Sequence, residues 1–408
     1  MEQQPHVFTL PNGIRVAHVY SRSQVAYCGL SINTGTRDEL NNEHGMAYFL
    51  EHTLFKGTHK RKAYHINNRL ENVGGELNAY TTKEETVVHA TILKTDFEKA
   101  IELISDIVFD SVFPEKEIEK EKTVIYDEID SYRDSPSELI FDDFEDLLFA
   151  GSALGHSTLG TKKGIKKFKQ ANICNFINRT YNTDEMVFTS VGQITANKIE
   201  HWCEEYLAYQ TANKRSFIRQ QPVNYNPFTK TVNKSTFQSH CVIGNRAYGL
   251  NDERRVQLSL LINLLGGPMS NSILNTVLRE KYGLVYNIET NYTAYTDAGV
   301  VNIYFGTAKQ NLGKSIELVK TELKKICDTA LTIMQLHKAK KQLIGQLAIA
   351  CESNEQQMLA MGKSYLAHNR YESMDETVKR IQNISALQIL EVANEVFAPE
   401  QLSTLIYT

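Results

Sequence analysis

The sequence is short of several things, and each shortage excludes something. Its six cysteines stand 24 or more positions apart, so no Cys-x-x-Cys pair exists. Neither a zinc ribbon nor a redox dithiol is encoded, and isolated thiols of this kind are expected to be reduced and mostly buried. Eight prolines are too few for long proline-rich linkers. The most apolar stretches, such as Leu258 to Leu265, fall far short of the ~20 residues that a membrane-spanning helix needs. There is no basic block: 44 Lys+Arg against 48 Asp+Glu give a formal charge of −4 and a pI near 6.3. That balance speaks against a nucleic-acid groove and against a polybasic membrane patch. The opening MEQQPHVFTLPNGIRV has no cationic leader followed by an apolar run. No signal peptide is visible there, and a cytoplasmic location is expected.

What is there is an ordinary globular balance, 42% hydrophobic and 23% charged, in a length that suggests two or three domains. Short β-rich runs at 13–20, 26–33, 86–93 and 186–191 alternate with helical patterns at 47–55, 96–109, 116–132 and 195–207. That alternation predicts mixed α and β structure. The polar stretch around 209–240 holds two of the eight prolines. It divides the chain into a half at 1–210, a linker at 211–232 and a second half at 233–408.

A second cycle then begins. Residues 26–93 run strand, polar turn, helix, GGELNAY, strand, and residues 240–306 repeat that order with different residues. An internal duplication is expected. Where the first cycle carries Tyr48, Glu51 and His52, the second carries aliphatic residues and Asn263. Only one copy therefore carries chemistry.

That chemistry sits in HGMAYFLEHTLFKGTHKR, residues 44–61. In a helix, positions four apart differ by about 40° in azimuth and about 6 Å in rise, so Tyr48 and His52 share a face, with Glu51 on the same flank. With His at position 48 the motif would be H-x-x-E-H, two imidazoles for zinc and a Glu to activate water. A catalytic zinc needs a third protein ligand. The segment EKEIEKEKTVIYDEIDSYRD supplies Glu121 and Glu128, seven residues and about two helical turns apart on one side of a helix. Taken alone, a Glu/Lys-rich amphipathic helix is also an ordinary solvated face.

Ordered motifs extend this pattern over almost the whole chain: TLPNGIRV at 9–16, HGMAYFLEHTLFKGT at 44–58, NVGGELNAYTTKEET at 72–86, EKTVIYDEI at 121–129 and LLGGPMSNSILNTVLREKYGLVYNI at 264–288. Together they resemble the pitrilysin/insulinase/mitochondrial processing peptidase family of inverted-motif zinc metallopeptidases. The resemblance implies an α+β fold of two similar α/β sandwich halves, each a mostly antiparallel sheet with helices on one face. The two halves would form one side of a clamshell that a homodimer or a heterodimer with a similar subunit completes. It implies one zinc ion held by His52 and Glu128, Glu121 assisting behind them, and Glu51 as the general base. Zinc lowers the pKa of bound water toward ~7, so a nearby carboxylate can take its proton for attack on a peptide carbonyl. Asn78 and Ala79 match the family's edge strand, where an extended peptide or unfolded segment pairs as an added strand. Arg279 and Tyr286 match the pair that reaches the substrate or the developing oxyanion. Asn78 also suits a turn, and Tyr286 a core position.

Position 48 departs from the family, whose first metal-binding His falls there. Three readings stand. Tyr48 is a loss that leaves His52 and Glu128 as two ligands, making the chain a catalytically impaired peptide-binding subunit. Or the phenol itself binds zinc, which requires the metal's charge to ionise a group with an ordinary pKa near 10. Or a neighbour replaces it, although His44, even if helical, would lie about 12 Å from His52.

Overall fold

A computed structural model of the chain describes residues 4–408. Its strands form two sheets. The first contains β1 (His6–Thr9), β2 (Arg15–Tyr20), β3 (Val25–Ile32), β4 (Glu76–Thr81), β5 (Thr86–Leu93) and β6 (Met186–Gly192), in the order β1-β2-β6-β3-β5-β4. The second contains β7 (Thr229–Val232), β8 (Ser239–Ala247), β9 (Val285–Ala294), β10 (Gly299–Thr307) and β11 (Ser403–Tyr407), in the order β7-β11-β8-β10-β9. All neighbours are antiparallel except β2 with β6 and β7 with β11. Strand by strand, β2-β6-β3-β5-β4 matches β7-β11-β8-β10-β9 in order and direction. The repeated order of elements in the sequence is thus a repeated topology, with β1 as an addition to the first copy.

The period of two places alternate residues on opposite faces of a sheet. On β3, Ala26, Cys28, Leu30 and Ile32 enter the main core of the first sheet, packed under the helix Phe97–Phe109. On β10, Val301, Ile303 and Phe305 do the same in the second. Beyond these expected helices, each sheet carries one helix on its other face. Met358, Met361 and Tyr365 of the helix Asn354–His368 pack on Ala17, Val19, Val187 and Val191. Ile140, Phe144 and Leu148 of the helix Pro136–Leu148 pack on Val242, Val300, Leu405 and Tyr407.

Each of those two helices comes from the half of the sequence opposite to most of its sheet, so the compact units are discontinuous. One takes the residues up to Ile129 with His156–Arg219 and Ile349–Ser373. The other takes Asp130–Gly155, Gln220–Ala348 and Met374–Thr408. The halves expected at 1–210 and 233–408 therefore differ from the compact units by an exchange of helical segments, which no local pattern encodes. The segment expected as a linker, 211–232, ends in β7, and its earlier part packs within the first unit. No disulfide links the six cysteines; Cys28, Cys203 and Cys241 are buried and Cys351 is exposed. Among the described residues no helix is long and apolar enough to cross a membrane.

Candidate metal centre and peptide edge

The helix Met46–Leu54 begins after Gly45, whose φ is +93°. A Cβ at Gly45 would come within 2.9 Å of the Gly160 Cα, so only glycine makes this entry without strain. Glu39 caps the helix from a distance: its carboxylate accepts from the Gly45 and Ala47 amides at 2.9 Å each. Burial raises the pKa of Glu39, with His44 and those two amides opposing the rise. Met46, Phe49, Leu50 and Leu54 are at most 1% exposed and hold the helix to the core. The opposite flank then presents Tyr48, Glu51 and His52.

The helix Glu115–Arg133 buries Ile118, Ile125 and Ile129 and presents Glu121 and Glu128 to that flank. Tyr48 Oη donates to Glu128 Oε2 at 3.0 Å. His52 lies between the two carboxylates, with Nε2 3.8 Å from Glu128 Oε2 and Nδ1 3.3 Å from Glu121 Oε2. The Tyr48 and His52 rings are 4.8 Å apart. Lys56 Nζ donates to Glu121 Oε1 at 2.8 Å. The structure therefore brings together four of the residues picked from the sequence and adds a fifth, Lys56. The signal for Lys56 was only a cation just past the helix; nothing in the sequence paired it with Glu121.

Glu51 is the remaining member. Its Oε2 is buried with no hydrogen-bond partner, and it lies by Thr81 at the end of β4. Burial raises its pKa; Thr81 and His52 oppose the rise and Glu128 adds to it. For Glu121 burial also pushes upward, but the contacts from His52 and Lys56 outweigh it and hold the pKa below the ordinary value. For Tyr48 burial, then Glu128 and Glu51, all push the phenol's pKa up.

Those three influences decide how the donors suit zinc. A phenol with a raised pKa keeps its proton and donates a hydrogen bond to Glu128, so it is a donor where a ligand is needed. Among the described residues no group of three His, Cys, Asp or Glu side chains is placed to hold a metal ion. His44 offers no replacement: its Nδ1 lies 3.8 Å from Glu39 Oε2 and its ring packs 3.9 Å from that of His156. The donor set does not fit a three-ligand catalytic zinc.

Asn78 and Ala79 lie within β4, opposite His89 and Val88 of β5, so Asn78 is a strand residue and not a turn. β4 is the edge of its sheet. Beside it opens a cavity of about 250 Å³ lined by Phe55, Asn67, Glu71, Leu77 and Asn78, among others. Arg279 and Tyr286 belong to the second unit. Arg279 lies in a π-helical turn, Asn275–Lys281, a distortion common at functional sites. It lines a cavity with Gly266, Gly267, Asn287 and Glu289. Tyr286, on the edge strand β9, is 84% exposed and is no core aromatic.

Residues 15–162 match the family described as Insulinase (Peptidase family M16), and residues 167–343 match Peptidase M16 inactive domain. An uncharacterized zinc protease of Rickettsia felis is 31% identical over 410 residues, covering 100% of this chain and 98% of that protein. An uncharacterized zinc protease of Bacillus subtilis is 28% identical over 400 residues, covering 98% and 97%. Among solved structures, the peptidase M16 inactive domain from Pseudomonas fluorescens superposes with a TM-score of 0.93 at 18% identity, covering 99% of this chain and 97% of that one. A protease from Helicobacter pylori superposes at 0.91 with 20% identity over the whole of both chains. These last two likenesses establish the fold, and the near full-length identity to the zinc proteases establishes kinship: the chain belongs to the insulinase (M16) peptidase family.

Proposed function

We propose that this chain binds extended peptides or unfolded segments as an added strand at β4, and serves as the peptide-holding subunit of a peptidase, with its own zinc site impaired by Tyr48. The open edge of β4, running past the helix that carries Glu51 and His52, carries this reading. An unpaired strand edge offers a row of backbone donors and acceptors to an extended chain, and a flanking cavity takes an alternate side chain. Membership of a peptidase family supports peptides as the substrate class. On this reading Asn78 and Ala79 pair with the peptide backbone, and Arg279 and Tyr286 are substrate-binding residues of the second unit. The partner is a similar subunit, in a heterodimer whose other chain supplies the zinc.

A second reading, an endopeptidase in its own right, is favoured by one observation. Glu51 keeps a buried, unpartnered oxygen and a raised pKa, which suits a group that takes up a proton during turnover.

Metal analysis of the purified chain, together with binding and cleavage of a fluorescent extended peptide, separates the two. The native chain is expected to bind the peptide, to carry little zinc, and to show no cleavage that a chelator stops. Tyr48→His is expected to take up one zinc and to cleave in a chelator-sensitive way. A full equivalent of zinc with chelator-sensitive cleavage in the native chain would establish the second reading instead. Absence of peptide binding in both proteins would end both.

A further inference from the structure

We propose that the cavity at the open edge of β4 is a specificity pocket for a lysine or arginine of the bound segment, whose stem lies on Phe55 and Leu77 and whose charge meets Glu71 and Glu76. The inference rests on β4 receiving an extended segment as an added strand, and needs neither zinc nor cleavage to be tested.

The lining residues say where the cavity lies. Gly75, Glu76, Leu77 and Asn78 are consecutive, and all four line it. Side chains alternate across a strand, so a cavity on one face of the sheet would be lined by every second residue. One lined by a run of neighbours lies along the strand's rim. β4 has β5 on one side and no strand on the other, so that rim is the open edge. The cavity therefore occupies the line that an added strand takes, and a side chain of that strand is what enters it.

The walls say which side chain. Phe55, which ends the site helix three residues after His52, and Leu77 both pack half-buried against the core and form the apolar wall. Glu71 closes the helix Ala63–Glu71 and Glu76 opens β4; both are exposed, and no cation lines the cavity with them. Among the described residues neither carboxylate takes part in a hydrogen bond or an ion pair. The cations nearest in sequence are committed elsewhere: Arg69 binds Glu102 at 3.0 Å, and Lys56 binds Glu121 at 2.8 Å. Lysine and arginine lay an aliphatic stem on apolar surface and keep the charged head at the wet rim, which is the pattern these walls complement. The face of Phe55 adds an attraction for the cation. A glutamate at the same place would meet two like charges. Because both carboxylates are exposed, the discrimination they give is modest and screened by salt.

The test uses the full chain and three fluorescent extended peptides, uncharged except at one central position, which holds lysine, norleucine or glutamate. Native protein is expected to bind the lysine peptide about 3–10-fold more tightly than the norleucine peptide at low salt, with glutamate weakest and the differences shrinking as salt is raised. In the double variant Glu71→Gln, Glu76→Gln the lysine and norleucine peptides are expected to bind alike. In Glu71→Lys, Glu76→Lys the order is expected to reverse, glutamate ahead of lysine, a gain that loss of folding cannot produce. Equal binding of the three peptides by native protein overturns the pocket and leaves strand addition at β4 standing. A lysine preference that survives both double variants also overturns it, since the discrimination then lies elsewhere. If native protein binds none of the three, the strand-addition reading falls and this proposal with it.

Discussion

Tyr48 and histidine differ at this site in what they do with a proton. A neutral imidazole offers a lone pair at no cost, whereas a phenol must first ionise, and here burial and two carboxylates oppose that. The hydroxyl therefore donates to Glu128, which both occupies one carboxylate oxygen and fills the place of a ligand. Behind it, contacts from His52 and Lys56 favour the charged form of Glu121. Its pKa is lower folded than its unfolded value of about 4.3, so the stability it contributes is present above that value and is lost as pH falls through the folded pKa. Native protein is expected to exceed Glu121→Gln by about 1 kcal/mol near neutral pH, since charge-assisted bonds are partly offset by solvent screening. The difference should shrink as pH falls below the ordinary glutamate range and vanish once the folded carboxylate is protonated, as read by urea unfolding at a series of pH values.

At the scale of elements, the functional arrangement depends on two helices that cross at one flank, and on a strand edge left open. Both helices were legible in the sequence because their causes are local. The apolar positions 46, 49, 50 and 54 repeat at the helical period, and the acidic helix has its isoleucines at 118, 125 and 129. The helix Asn354–His368 was not legible as a partner of the first sheet, because its apolar residues say only that it packs, not on what. Gly362 marks how close that packing is: a Cβ there would lie 2.5 Å from Ser31 Oγ. Met361 is fully buried between this helix and the sheet. Met361→Ala is expected to cost about 2–5 kcal/mol in urea unfolding, more than a surface contact could explain. A loss below about 0.5 kcal/mol would show that the helix contributes little to the unit.

At the scale of the whole molecule, the chain leaves the first unit at a fixed point. Arg215 and Arg219 both donate to Asp38, at 2.7 Å to its Oδ1 and 2.7 Å to its Oδ2 respectively, and the Asp38 side chain is fully buried. Arg219 also donates to the Asn33 and Glu84 carbonyls. The polar composition of this stretch suggested a linker, yet residues up to Arg219 are tied down by ion pairs formed across some 180 positions of sequence. Asp38→Ala would leave two largely buried guanidinium groups without their shared anion. It is expected to destabilise by about 3–5 kcal/mol and to speed tryptic cleavage after Arg215 and Arg219. Unchanged resistance to trypsin would mean that the carbonyl contacts suffice.

By itself the sequence determined the duplicated α+β order and the helices carrying Tyr48, Glu51, His52, Glu121 and Glu128. These follow from periodicity and short-range spacing, which act within a few residues. Tertiary structure alone decided that Tyr48 donates a hydrogen bond to Glu128, that Lys56 backs Glu121, that Glu39 caps the site helix, and that each sheet borrows a helix from the other half of the chain. Each of those depends on which groups meet in space after burial. Burial is also what sets whether a phenol is a ligand or a hydrogen-bond donor.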